Sequence, residues 1–151
     1  MKKWALIVVA LWMGTFWLPS ADTLAQEKKP VKIGVPMTLS GMAAQVGVDN
    51  RNGIVLAAKE KKTLLGRPIE LIIEDVEGKP EVGVRKAEKM VFKDGCIAIL
   101  GVAFSGVGLA IAGEAGKLGV PFLTTNVMTP KFYGIHKYVF RCGQLADDQT
   151  A

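Results

Sequence analysis

The sequence predicts an α/β protein in which helices cover both faces of a doubly wound parallel sheet. From residue 31 onward, β-branched apolar runs of strand length alternate with segments of helical periodicity, which is the pattern of a parallel sheet with crossover helices. The run at residues 96–100 is wholly apolar, as in a strand that is covered on both faces of such a sheet. Glycine and proline separate these segments, so each element has defined ends.

The elements follow one another along the chain. Alternating or apolar runs predict five strands, at residues 31–35, 69–74, 96–100, 120–123 and 138–141. Apolar residues at helical spacing predict helices at about residues 48–62 and 81–93, a third around residues 107–118, and a fourth that begins at residue 145. Asp49 or Asn50 would cap the first helix. Pro80 suits the first turn of the second helix, and Gly119 would end the third.

Each of the first three helices has a predicted buried face. In the second helix, charged residues occupy the side opposite the apolar ones, as an amphipathic helix requires. The expected buried residues are Ile54, Ala57 and Ala58 in the first helix, Val84, Ala87, Met90 and Val91 in the second, and Val107, Ile111, Ala115 and Leu118 in the third.

The first 25 residues have the features of a secretory signal peptide. Lys2 and Lys3 precede an apolar run at residues 4–18, which is shorter than the roughly 20 residues that a membrane-spanning helix needs. Thr23 and Ala25 are small residues at the −3 and −1 positions of a cleavage site after Ala25. We therefore expect a periplasmic protein that begins at Gln26. The alternative is an uncleaved membrane anchor.

The composition argues against several classes of protein. Hydrophobic residues make up 50% of the chain, too many for a disordered protein. One histidine and two cysteines argue against a zinc site, and a net charge of +5 that is dispersed along the chain argues against a nucleic-acid partner. The chain has no P-loop and no dinucleotide-binding glycine motif in register, so neither a metal nor a cofactor is expected.

The two cysteines, Cys96 and Cys142, both lie at the ends of predicted strands. We expect two separate, partly buried thiols, because free cysteine often lies in protein cores as a small apolar residue. A disulfide between them is the alternative outside the cytoplasm.

No arrangement of catalytic side chains is evident, so the chain is not expected to be an enzyme. His136 is a lone histidine in a predicted surface loop. Glu74 and Asp75 are expected to face solvent or to cap a turn rather than to act in acid–base chemistry.

The candidate binding residues lie in loops that follow the predicted strands, at residues 38–47, 101–106 and 124–130. In doubly wound sheets, ligands bind at the carboxyl ends of the strands. Ser105 and Gly106 begin a predicted helix, whose N–H groups and dipole favour an anion such as a carboxylate. The alternative is that Ser105 only caps its own helix. Thr124, Thr125 and Asn126 are either turn formers or ligand groups.

A series of short motifs carries a family resemblance. It begins with Val-Lys-Ile-Gly-Val-Pro-Met-Thr-Leu-Ser-Gly at residues 31–41 and Gln-Val-Gly at residues 45–47. Further matches lie at residues 52–53, 66–71, 75–80, 94–95, 101–105, 119–121 and 140–141. In order and spacing these motifs resemble the branched-chain amino acid binding proteins of ABC transporters, which are type I periplasmic binding proteins of the leucine-binding family.

This resemblance implies a protein of two α/β lobes that trap a ligand between them. Residues 26–151 resemble only the first lobe, and the second lobe is absent from this chain. The implied function is to deliver an amino acid of the branched-chain type, or a related small carboxylate or amide, to the membrane permease of an ABC importer. The alternative is a ligand-sensing domain of a receptor or regulator with the same fold.

The resemblance also implies roles for individual residues. Ser105 would bind the ligand carboxylate together with a backbone N–H such as that of Gly106. Val46 falls where the family has a ligand-contacting aromatic residue. Asn126 and Val127 lie in the loop that contributes further ligand contacts, and Met128 replaces a ligating threonine in that loop.

Two departures from the family follow from the same alignment of motifs. The family's disulfide cysteines fall at Gly78 and Phe104, so that bridge is missing. The smaller residue at position 46 and the less polar one at position 128 imply a larger, more apolar pocket, which would suit a larger or less polar carboxylate, or an amide.

Overall fold

The computed structural model describes residues 28–143. The predicted signal peptide and the predicted helix at residues 145–151 lie outside the described residues. The strands are β1 Val31–Met37, β2 Thr63–Leu64, β3 Arg67–Asp75, β4 Ala98–Gly101, β5 Phe122–Thr124 and β6 Val139–Arg141. The helices are α1 Ala44–Lys61, α2 Pro80–Glu88, α3 Ser105–Gly113 and α4 Ala115–Leu118. A π-helical segment at Lys89–Lys93 continues α2, and a 3₁₀ turn lies at Pro130–Phe132.

The strands form one sheet in the order β2-β3-β1-β4-β5-β6. Every pairing is parallel except that of β2 with β3 at one edge. After β1 the chain moves to β3 on one side, and it then crosses to β4 on the other side of β1. The crevice between the ends of β1 and β4 is therefore the topological switch point, where doubly wound folds bind their ligands.

Helices pack on both faces of the sheet, so the predicted doubly wound α/β class is confirmed. On one face, α1 covers a small cluster of Val35, Met37 and Ile54. On the other face lies the larger cluster beneath α2 and α3, which includes Ala87, Met90, Ile99, Val107, Ile111, Phe122 and Val127. Because each face buries its own cluster, the ends of the strands are held by packing on both sides.

The start of α1 differs from the prediction. The helix begins at Ala44 rather than near Val48, and Ala43 is its cap residue without a side-chain hydrogen bond. Asp49 and Asn50 are therefore not caps, because both lie inside the helix. Ile54 is buried as expected, but Ala57 is exposed.

Two further predictions need correction. The strand predicted at residues 69–74 begins earlier, at Arg67, because Thr63–Leu64 pairs with Arg67 and Pro68 as a short antiparallel hairpin. In α2, Val82 and Gly83 are buried and Val84 is only partly so, because α2 turns its Gly83 side toward Val107 of α3. The π-helical segment then changes the helical register, which leaves Val91 partly exposed.

Other sequence predictions are confirmed. Pro80 is the first residue of α2. Gly119 adopts φ +66° in the left-handed region and ends α4, as glycine does after many helices. The four residues expected on the buried face of the third helix are all buried, although they are divided between α3 and α4, namely Val107, Ile111, Ala115 and Leu118.

The two thiols are separate, as predicted. Cys96 is buried and Cys142 is exposed, and both are free. The expected partial burial of Cys142 is wrong, because this residue follows β6 at the edge of the sheet. Within residues 28–143, no helix is long and apolar enough to cross a membrane.

Candidate functional site

The candidate loops meet at one edge of the sheet. Because β1, β4, β5 and β6 are parallel, their carboxyl ends point the same way. Gly101 at the end of β4 is the register partner of Thr124 at the end of β5. The Thr125 N–H donates to the Gly101 carbonyl at 3.2 Å. The loop after β4 is thereby tied to the loop after β5, next to the topological switch point.

The N-terminus of α3 lies at this edge and has no side-chain cap. Ser105 is the first residue of the helix, and Phe104 occupies the cap position with extended backbone angles and no capping hydrogen bond. The interpretation that Ser105 only caps its own helix is therefore not supported. Gly106 is exposed, and a Cβ at this position would meet nothing nearer than Pro80 Cγ at 4.0 Å. The first N–H groups of α3 are thus open to an anion.

The turn that leads to Ser105 is strained. Val102 has φ +74°, a conformation that is a genuine outlier for a β-branched residue. Its side chain is fully buried in the larger cluster, whereas the next residue, Ala103, packs on the cluster beneath α1. The chain crosses from one face of the sheet to the other within these two residues. Packing on both sides therefore holds the backbone that positions the start of α3.

The other predicted binding residues differ in their exposure. Val46 lies in the first turn of α1 and is 42% exposed. Asn126 and Met128 are partly buried in the loop after β5. Val127 is fully buried, and its Cγ2 atom would lie 2.6 Å from a Cβ placed on Gly108. Val127 therefore fastens the loop to α3, and only its backbone is available to a ligand.

The carboxylate of Asp75 fixes the loop that follows β1. Its Oδ1 atom accepts the N–H groups of Leu39 and Glu77, each at 2.8 Å. Burial tends to raise the pKa of Asp75, but hydrogen bonds from Ser40, Leu39 and Glu77 outweigh burial and lower it. The prediction that this carboxylate caps a turn is confirmed.

The neighbouring carboxylate, Glu74, is also paired with other side chains of the protein. Its two oxygens form ion pairs with Lys86 and Lys89, both on the α2 side of the sheet. Hydrogen bonds from these two ammonium groups lower the pKa of Glu74. Glu74 is thus a structural anion at neutral pH rather than a proton donor.

Four buried polar atoms lack a hydrogen-bond partner within residues 28–143, and all lie at the carboxyl edge of the sheet. They are Thr38 Oγ1, Thr124 Oγ1, Thr125 Oγ1 and Arg141 Nη1. Buried polar groups are almost always paired, so each exception needs an explanation such as a ligand, an ion or a water molecule. The sequence identifies Thr124 and Thr125 as either turn formers or ligand groups, but it does not identify Arg141 as a ligand group. The available signal was a charged residue that ends an otherwise apolar strand.

A groove of about 620 Å³ lies beneath α1, on the face of the sheet opposite α2 and α3. Its walls are apolar side chains of the helix and of the central strands, including Ile54, Leu71 and Leu100. Thr125 lines one end, but Ser105 is not among the lining residues. We place the candidate site at the N-terminus of α3, because this helix begins beside the switch point with no side-chain cap and with open space at Gly106.

The contacts of His136 indicate a structural role. Its Nδ1 atom accepts a hydrogen bond from the N–H of Tyr138 at 3.3 Å, and the centres of the His136 and Tyr138 rings lie 5.2 Å apart. In the described part of the chain, no group of three or more His, Cys, Asp or Glu side chains could hold a metal ion.

Comparisons with known proteins agree with this geometry. A family model described as periplasmic binding protein matches residues 30–151. The Leu/Ile/Val-binding protein BraC3 of Rhizobium johnstonii is 31% identical over 126 residues, which cover 80% of this chain and 34% of that protein. The chain thus spans about a third of the length of this curated relative.

Solved structures show the same fold. The leucine binding protein LivK of Thermotoga maritima superposes with a TM-score of 0.73 at 31% identity, over 79% of this chain and 34% of that one. A solute binding protein of an ABC transporter from Rhodopseudomonas palustris, in complex with 3,4-dihydroxybenzoic acid, superposes with a TM-score of 0.71 at 26% identity, over 76% and 32% of the two chains. On the extent of the family match and the shared fold, the chain belongs to the periplasmic binding protein family.

Proposed function

We propose that this chain forms one lobe of a periplasmic solute-binding protein that serves an ABC importer. The N-terminus of α3 would receive the carboxylate of the solute. The observation that carries this proposal is the absence of a side-chain cap on α3 at the topological switch point. A helix N-terminus with free N–H groups carries about half a positive charge, which favours an anion.

Ser105 and Gly106 would act together on one carboxylate. The Ser105 hydroxyl takes no part in capping, so it can donate a hydrogen bond to the ligand. Gly106 has no side chain to keep an oxygen away from its N–H, and its surroundings are open. Two donors on one carboxylate would orient the rest of the solute toward the exposed side of the loops.

The solute would combine this carboxylate with an apolar body. Met42 is fully exposed in the loop after β1, Val46 is 42% exposed in the first turn of α1, and Phe104 is 41% exposed in the loop after β4. Relatives are named for leucine, isoleucine and valine, or hold an aromatic acid. Both ligand types pair a carboxylate with an apolar group, so a branched-chain amino acid or an aromatic carboxylate is the proposed class.

The proposal includes partners and location. Residues 1–25 would be a signal peptide cleaved after Ala25, and residues 26–151 one lobe of the mature protein. Because relatives are more than twice as long as this chain, a second lobe would close over the solute and present the complex to the membrane permease. The chain would bind and release its solute unchanged, without catalysis.

A matched pair of solutes tests the proposal. Protein recovered from the periplasm after expression of the full sequence would be titrated with L-leucine and 4-hydroxybenzoate while backbone amide resonances are recorded. We expect the Ser105 and Gly106 amides to shift. L-leucinol and 4-hydroxybenzyl alcohol, which lack the carboxylate, should leave them unchanged.

A substitution completes the test. Ser105→Ala should weaken binding about 10- to 150-fold, as expected for one lost hydrogen bond to a charged group. Thr63→Ala, at an exposed position in β2, is the control and should bind like the unaltered protein. The proposal is wrong if the alcohols shift the same amides as the acids, or if neither acid shifts them.

A further inference from the structure

Two polar side chains that each have an unpaired buried atom lie side by side on β5 and β6. Thr124 and Arg141 are Cα partners in the parallel register. Register partners in a parallel pair project from the same face of the sheet, on strands about 4.8 Å apart. Thr124 is fully buried, and neither its Oγ1 atom nor Arg141 Nη1 has a hydrogen-bond partner in the described part of the chain.

Tyr133 contacts the guanidinium of Arg141 in two ways. Arg141 Nη2 donates to the Tyr133 hydroxyl at 2.7 Å. The Arg141 Cζ atom also lies 4.9 Å from the centre of the Tyr133 ring, within the range of a cation–π contact. These contacts engage one end of the planar guanidinium. Its other end, at Nη1, is turned into the protein, where water does not reach it.

In the part of the chain that the structure describes, no carboxylate pairs with Arg141. Among residues 28–143, none of the five ion pairs includes Arg141. A buried donor on a charged group that has no acceptor costs free energy. Arginine presents its donors in a planar fork that matches a carboxylate. The Thr124 hydroxyl can donate as well, so neighbouring strands each contribute one unpaired donor on the same face of the sheet.

We propose that Arg141 and Thr124 form an oxyanion subsite for a carboxylate. One carboxylate oxygen accepts from Arg141 Nη1, and the other accepts from the Thr124 hydroxyl. Tyr133 orients the guanidinium without contacting the anion. This subsite is distinct from the N-terminus of α3, since Ser105 belongs to neither strand. Its occupant is either a small carboxylate from solution or a carboxylate of this chain, for which Asp147 and Asp148 are the nearest candidates after β6.

The first arm of the test looks for a small carboxylate. Thermal unfolding would be followed in sodium acetate and in sodium chloride at equal ionic strength, with protein recovered from the periplasm. Acetate should raise the unfolding midpoint of the unaltered protein, and it should still raise that of Ser105→Ala, in which the carboxylate site at α3 is weakened. The apparent acetate affinity should fall at least tenfold in Arg141→Met and about threefold or more in Thr124→Val. Arg141→Lys, which keeps the charge but loses the planar fork, should retain only part of the response.

The second arm looks for a carboxylate of the chain. If Asp147 or Asp148 fills the subsite, the double substitution Asp147→Asn/Asp148→Asn should lower the unfolding midpoint of the protein that keeps Arg141. The same double substitution should leave the midpoint of Arg141→Met unchanged. Acetate should then restore the midpoint of the double variant. Either pattern supports a carboxylate subsite and identifies its source.

A third pattern would overturn the proposal. It is the absence of any Arg141-dependent response to acetate together with no effect of the Asp147 and Asp148 substitutions. Because Ser105→Ala is measured in parallel, failure at Arg141 does not count against solute binding at α3, and failure at α3 does not count against this subsite. Thr124→Val keeps the side-chain shape and serves where Arg141→Met folds poorly.

Discussion

Gly47 packs directly against the backbone of Thr38, so that α1 touches the end of β1 with no side chain between them. A Cβ at Gly47 would overlap the Thr38 carbonyl oxygen and lie 2.7 Å from the Thr38 carbonyl carbon. Backbone atoms at the end of a central strand cannot move aside as a flexible side chain can. Glycine at position 47 therefore sets the distance between α1 and the sheet at the candidate site.

Gly47→Ala should lower the free energy of unfolding by about 3 kcal/mol or more, because the added methyl group has no space. The matched control lies in the same helix. Gly53 is exposed, and a Cβ there meets nothing within 4 Å, so Gly53→Ala should raise the free energy of unfolding by about 0.5–1 kcal/mol. Urea denaturation of both variants measures the difference. Equal effects at the two positions would contradict the close contact.

The sequence was sufficient to predict the sheet and its crossover helices, because a parallel sheet buries both faces and leaves long apolar runs. It misplaced the start of α1 because that helix has no capping side chain. Asp49 and Asn50 have the chemistry of caps, yet within the helix Asp49 accepts from Gln45 Nε2, and Asn50 Nδ2 donates to the Val46 carbonyl. Polar side chains inside a helix can thus form hydrogen bonds with residues four positions earlier, without marking a helix end.

The β2–β3 hairpin was missed for a different reason. Its two-residue loop is Leu65-Gly66, with φ +55° and +69°, as a type I′ turn requires. Leucine is an unusual first residue for such a turn, which normally carries Asn or Asp. The position of Ser105 could be predicted from the loop that precedes a helix. The subsite at Thr124 and Arg141 could not, because it depends on strand register and on which atoms lose contact with water.

Asp75→Asn should lower the free energy of unfolding at pH 7 by about 1–2 kcal/mol, since the carboxylate accepts several hydrogen bonds. The pKa of Asp75 in the folded protein lies below its ordinary value of 3.8. Its stabilising effect is therefore complete above about pH 5 and is lost as the pH falls through the folded pKa. Urea denaturation at several pH values should show the two proteins converging in acid. Glu77→Gln, at an exposed surface pair with Lys79, should show little difference at any of these pH values.

The two thiols should differ sharply in reactivity. Burial, with a smaller contribution from Asp94, raises the pKa of the Cys96 thiol to about 11, so almost no thiolate forms there at pH 8. Cys142 is exposed and should react with an aromatic disulfide reagent at once. One thiol per chain is expected to react in the folded protein, and two in denaturant. Cys142→Ser should remove the fast reaction. If fast reaction persists in that variant, Cys96 is more accessible than its burial indicates.

The left-handed backbone at Val102 predicts an inverted order of stability for two substitutions. Val102→Ala loses buried methyl groups and keeps the strain, at a cost of about 2 kcal/mol. Val102→Gly loses one carbon more, but glycine adopts φ +74° without the steric cost of about 1–2 kcal/mol that other residues incur in this region. The glycine variant should therefore be at least as stable as the alanine variant.

Val35 provides the control for this comparison. It is equally buried, but it lies in β1 with ordinary strand geometry, so Val35→Gly should be less stable than Val35→Ala by about 1 kcal/mol. The comparison is made by urea denaturation of all four variants. If glycine is the worse residue at both positions, Val102 holds no strain. If glycine is the better residue only at Val102, core packing holds a strained backbone at this turn. The same packing then positions the start of α3, because Val102 lies three residues before Ser105.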